Sequence, residues 1–202
     1  MALARTSKLE AVNKALQMMG EAPVNSLQGL FGLGNLAETT INSVSRKLQT
    51  EGWSFNTDYE ADLTRDSTTN EISVGTSTTR VYVDPYDYPD IDVVQRGSRL
   101  YDRKNNTYEF KQNLKADITI ILDWEELPEH ARVYIMTKAG RELQESMIGS
   151  KDLTEINLLV EQEVRAQFLE EETQLSDHNI LRGHNRKVNP MRTYRPSDVL
   201  SR

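Results

Sequence analysis

The chain has 202 residues, no cysteine and a formal net charge of −7; that length suits one large domain or two small ones, with a core that buries roughly 70% of the unfolded surface. Without cysteine there are no disulfides, thiolate nucleophiles or cysteine-ligated zinc, and the acidic balance argues against non-specific DNA binding by the body as a whole. The opening Met1-Ala-Leu-Ala-Arg-Thr-Ser7 has no apolar run of signal-peptide length and no later stretch could span a bilayer, so the expectation is a protein made and assembled in the cytosol, with no membrane partner.

Four helices can be read with their boundaries. Ser7 and Glu10 predict a capping box, Leu9, Val12, Leu16 and Met19 an apolar stripe, and Gly20 a left-handed stop. The next segment, Gly29-Leu-Phe-Gly-Leu-Gly34, lacks the Gly-Lys-Ser/Thr ending of a phosphate loop, and no strand leads into it. It reads as a flexible link between helices. Its apolar Leu30, Phe31 and Leu33 hint at contact with a neighbouring subunit. A second helix is expected to start at Asn35, with Glu38 three residues on, carry Ala37, Ile41, Val44 and Leu48, and stop at Gly52.

Residues 53–124 switch to strand chemistry. Thr78 to Val83 and Ala116 to Leu122 are rich in β-branched residues with partial alternation. Ile91 to Arg96 and Arg99 to Arg103, joined by Gly97-Ser98, predict a hairpin with a type II′ turn. Asn105-Asn106 supplies another turn before Thr107 to Phe110; as a glycosylation sequon, Asn105-Asn106-Thr107 has no secretory context. Residues 64–77 are rich in Thr and Ser and predict a flexible loop. Asp84-Pro-Tyr-Asp-Tyr-Pro-Asp-Ile-Asp92 lacks the glycine and glutamate positions of an EF-hand, and reads as a turn-rich tip with tyrosines suited to a protein interface.

Pro128 is expected to open a third helix carrying Ile135, Ala139, Leu143 and Met147, closed by Gly149. Ser150 then caps a fourth, with the stripe Leu153, Ile156, Val160, Val164, Phe168 and Leu175. The fold class expected is α+β: an antiparallel four-helix bundle from residues 1–52 and 127–176, with an inserted antiparallel β domain at 53–126.

Catalytic and metal readings are weak. Asp123, Glu125 and Glu126 flank Trp124, as carboxylates flank aromatics in glycoside hydrolases. Two carboxylates facing each other across a substrate are needed, and adjacency does not provide that. The better reading is a strand-to-helix junction whose acids favour the positive helix N-terminus. His130, His178 and His184 are too scattered for a metal or catalytic set. No cofactor is implied.

Composition reverses near the end. Lys151 to Ser176 holds seven Asp/Glu against two Lys/Arg, whereas Asp177 to Arg202 holds six Lys/Arg against two Asp. With Gly183, Pro190 and Pro196 and no apolar period, residues 177–202 read as an extended basic arm that a partner would order.

Several blocks, in order, carry a family resemblance. Ala11-Val-Asn-Lys-Ala-Leu-Gln-Met-Met-Gly-Glu-Ala-Pro-Val-Asn-Ser-Leu27 resembles the opening of tail tubular protein A, the head-to-tail adaptor of short-tailed bacteriophages. Gly52-Trp-Ser-Phe-Asn56, Leu100-Tyr-Asp-Arg103 and Leu127-Pro-Glu-His-Ala-Arg-Val-Tyr-Ile-Met-Thr-Lys-Ala-Gly-Arg141 are similar to later blocks, and the whole spans residues 9–176. The resemblance implies a non-enzymatic virion protein, assembled in the host cytoplasm as a ring of about twelve copies. The helices would sit against the portal, and the β domain, with Tyr86, Asp87 and Tyr88, would face a nozzle protein resembling tail tubular protein B. Double-stranded DNA would pass through the channel without specific binding. The C-terminal segment would embrace the portal, with Arg182, Arg186, Lys187, Arg192 and Arg195 pairing with carboxylates and Val188, Met191 and Tyr194 as apolar anchors. It carries over no catalytic, cofactor or metal residue. The alternatives are a polysaccharide- or peptidoglycan-degrading tail enzyme using Asp123, Glu125 and Glu126, and a nucleic-acid-binding module using the basic arm.

Overall fold

A computed structural model of the chain describes residues 4–175. The basic segment, with His178, His184 and the eight portal-contact residues from Arg182 to Arg195 named above, lies outside the described residues. The fold is α+β, with four α-helices and two small antiparallel sheets among the described residues.

Helix α1 (Lys8–Met18) begins as its sequence requires: the Ser7 hydroxyl accepts from the Glu10 amide at 3.2 Å while Glu10 reaches back to the Ser7 amide at 2.7 Å. Helix α2 (Leu33–Thr50) starts two residues before the expected Asn35, which lies inside the helix and caps nothing. Gly32, at φ +58°, makes the entry turn in a conformation that glycine adopts without strain. The early start also lets Leu33 pack against the helical core. Helix α3 (Glu129–Met147) follows Pro128, whose ψ of 157° places it just outside the helix rather than at its first turn. Helix α4 (Lys151–Leu175) follows directly.

Strands β1 (Thr57–Leu63), β2 (Thr78–Tyr82) and β5 (Leu114–Ile120) form one sheet in the order β1-β5-β2. Sequence reading missed β1, because Thr-Asp-Tyr-Glu-Ala-Asp-Leu is poor in strand formers. Pairing to β5 makes the strand, and a bulge at Glu60 (φ +53°) interrupts the register between Asp58 and Ala61. The hairpin β3 (Val93–Arg96) and β4 (Arg99–Asp102) turns through Gly97-Ser98 as expected, with Gly97 at φ +65°.

Residues 64–77 are not the loose loop their composition predicts. Asp66 accepts from the amides of Thr68 (2.8 Å) and Thr69 (2.9 Å), Val74 N–H donates to Ser98 O (2.8 Å), and Ile72 is fully buried. Serine and threonine here serve local turns, while Ile72 and Val74 enter a core.

There are two hydrophobic clusters. One joins α1 (Val12, Leu16), α2 (Ile41, Leu48) and α3 (Tyr134, Ile135, Leu143) with Phe168 from α4. The other, of Leu63, Ile72, Val83, Leu100, Phe110 and Leu114, fills the β region. Helices α1, α2 and α3 pack on one another, and α4 packs chiefly along α3.

Two buried amides tie the clusters together. Gln49 Oε1 accepts from Leu122 N–H at 2.7 Å, and its Nε2 donates to Leu122 O at 3.2 Å. Asn56 Nδ2 donates to Gln49 O and to Ile120 O, each at 2.8 Å. The end of α2 is thereby bonded to the end of β5.

Candidate interface surfaces

The expected subunit-contact loop divides in two. Phe31 is 89% exposed, whereas Leu30 packs over Gly34 and Leu33 turns toward the helical core. One large ring therefore stands alone on the link between α1 and α2.

The acidic tip behaves similarly. Asp84 organises it, accepting from the Tyr86 amide at 2.9 Å through its carboxylate and from Asp87 and Tyr88 through its carbonyl. Tyr86 projects into solvent at 80% exposure. Tyr88 turns inward, packing on the β core and accepting from Lys115 N–H at 3.0 Å. Nearby, burial of Asp102 favours its neutral form. Four hydrogen-bond donations, from the Asn105 side chain and the amides of Asp92, Lys104 and Asn105, outweigh that effect and hold its carboxyl below the ordinary range. Asp102 orders a turn.

Asp123, Glu125 and Glu126 all belong to the turn before α3. Asp123 N–H donates to Glu126 at 3.3 Å, and Trp124 Nε1 donates to Thr6 O at 3.0 Å. Arg132, 2% exposed, donates to Leu127 O, Thr6 O and Glu125 O at 2.7–2.9 Å. The junction therefore ties the start of the chain to α3, with a guanidinium filling three carbonyl acceptors.

Sequence reasoning gave His130 no role. It is buried between two carboxylates, with Nδ1 3.0 Å from Glu171 and Nε2 2.9 Å from Glu172. Glu172 also accepts from the amide and hydroxyl of Ser54. Phe168 lies among Trp53, His130 and Tyr134, with ring centroids at 4.7, 5.4 and 5.5 Å. These contacts fix the last turns of α4 to α3 and to the turn after α2. Among the described residues, no group of three or more His, Asp or Glu is placed to hold a metal ion.

The face that α4 turns to α3 keeps only part of the stripe read in its sequence: Phe168 is buried and Val164 packs on the helical core. The seam carries Glu161, Phe168 and Glu172, with Glu161 bonded to Arg141. Leu153, Ile156, Val160 and Leu175 point outward, joined by Leu159 at 67% exposure. Ionic partners on α3 select the seam, which leaves the aliphatic stripe uncovered. The run Leu158-Leu159-Val160 was the available signal, because it makes this part of the helix apolar around most of its circumference.

Phe31, Tyr86 and the outward aliphatic side chains of α4 thus stand among the large apolar groups left in solvent. Residues 9–178 match the family model of the tail tubular proteins. The chain belongs to the tail tubular protein family. No curated protein matches it significantly. Membership gives it a structural role in the tail of a phage, as a virion component. Among the described residues of this tail tubular protein, no helix is long and apolar enough to cross a membrane.

Proposed function

We propose that this tail tubular protein is the head-to-tail adaptor of a short-tailed phage, forming a ring between the portal and a nozzle protein and lining part of the channel through which DNA leaves. The observation that carries this reading is the family match over residues 9–178, which takes in the helical and the β elements together. Residues 1–52 and 127–176 act as a four-helix bundle facing the portal, and residues 53–126 as a β domain directed at the nozzle through Tyr86 and Asp87. Residues 177–202 clamp the portal.

The charge distribution fits. With the arm removed, 18 Lys/Arg stand against 29 Asp/Glu, so a channel wall made of the body repels the DNA backbone. A basic arm suits an acidic portal surface and gains its order on docking. Asp123, Glu125 and Glu126, which motivate a lytic alternative, share one short turn, an arrangement that favours a structural role.

Negative-stain microscopy of the purified chain mixed with its portal provides the test. The expected image is a ring stacked under the portal. Particles in which the portal stays bare at saturating protein would exclude the adaptor role.

A further inference from the structure

We propose that the outward face of α4 is a seat for the α1–α2 layer of a second copy of this chain, with Phe31 as the inserted knob. The inference rests on the reading that the protein assembles with itself, and it names the two surfaces that meet.

Leu153, Ile156, Leu159 and Val160 are 42%, 59%, 67% and 43% exposed on one helix, while α4 covers only its Glu161–Phe168–Glu172 seam. A helix whose ionic seam is packed and whose aliphatic side is left in solvent needs a second cover, and this chain supplies none among its described residues. The other uncovered large ring on the helical part is Phe31, at 89% exposure. Both stay open within one copy, so neither covers the other in cis.

Charge decides how two copies meet. Asp152, Glu155 and Glu163 are exposed on the same side of α4 as these aliphatic residues, whereas α1 and α2 expose Lys14, Arg46 and Lys47 (the last 3.8 Å from Glu142) against the single exposed carboxylate of Glu10. Setting α4 against α4 about a two-fold axis would oppose acid to acid. Setting α4 against the α1–α2 layer opposes unlike charges. The second contact uses two different surfaces, so it repeats from copy to copy and closes into a ring where the rotation permits.

The chain has no cysteine, so engineered thiols report contacts cleanly. The full chain carrying Phe31→Cys and Leu159→Cys, oxidised after assembly with or without portal, is expected to give a covalent ladder of multimers. Leu159→Glu is expected to weaken self-association at least about tenfold while leaving the circular dichroism spectrum and melting temperature unchanged, because the site is exposed. Rings that form normally without a 31–159 cross-link, and that Leu159→Glu does not weaken, overturn the seat but leave the adaptor reading intact. Dimers cross-linked through Leu159→Cys alone overturn it in favour of α4 against α4. An intramolecular bond in a Leu159→Cys/Val188→Cys monomer overturns it by giving the face to the chain's own C-terminal segment. A chain that stays monomeric with and without portal overturns both this inference and the ring.

Discussion

Arg132 shows how a single residue can hold the start of this chain. Its guanidinium is buried and fills the carbonyls of Thr6, Glu125 and Leu127, while the nearest carboxylate, on Glu125, lies 4.0 Å away at a solvent-exposed position. Removing the group takes the donor from the carbonyls of Leu127 and Glu125, while Thr6 O keeps only the Trp124 indole. Arg132→Met keeps most of the volume and is expected to lower unfolding free energy by about 2–4 kcal/mol in a denaturant titration. A loss well under ~1 kcal/mol would mean that water replaces the guanidinium. Asp102 makes a second case, set by pH. Its folded-state pKa is depressed, so its contribution is present above the unfolded value near ~3.9 and is lost as pH falls through the lower folded value. Asp102→Asn is therefore expected to destabilise the β region at neutral pH and to narrow the gap from the parent chain as pH drops below about 4. Melting curves of both chains between pH 7 and pH 3 would check this.

At the scale of elements, α4 is held most firmly where the described chain ends. His130 bridges Glu171 and Glu172, and Phe168 fills a box of aromatic rings, whereas the first half of the helix has an uncovered side. His130→Ala is expected to cost about 1–3 kcal/mol, because Glu172, with 6% side-chain exposure, loses the imidazole while keeping its bonds to Ser54. Hydrogen exchange should show the loss concentrated in residues 168–175, before any change in α1 or α2. Protection lost uniformly over all helices would contradict a local latch. This element also shows where sequence reading stops. Helix α1 was legible because Ser7, Glu10 and Gly20 are local signals that act within one turn. The hairpin was legible because Gly97-Ser98 sets its own register. The face α4 buries was legible only at Val164 and Phe168, since Glu161 and Glu172 find Arg141 and His130 about 20–40 positions away, and aliphatic periodicity gives no sign of such pairs. Strand β1 and the order in 64–77 were hidden for the same reason: β5, Ser98 and the β core impose them from a distance.

For the molecule as a whole, body and arm are expected to separate cleanly. Both hydrophobic clusters, the Gln49–Asn56 tie and the His130 latch lie within residues 4–175. Deleting residues 177–202 removes six Lys/Arg and two Asp and none of those contacts. The truncated chain should therefore melt within about 2 °C of the full one, since no described buried contact is lost. It should nevertheless fail to bind the portal, because the cationic surface has gone. Charge rather than shape should dominate that interaction, so the full chain's affinity for the portal is expected to fall as salt rises from 50 to 500 mM, as screening shortens from roughly 14 Å to 4 Å. Replacing Arg192 and Arg195 with Glu should reproduce much of the deletion's effect at low salt. A truncated chain that docks as tightly as the full one would instead place the portal contact on the helices, and the basic segment would then need another partner.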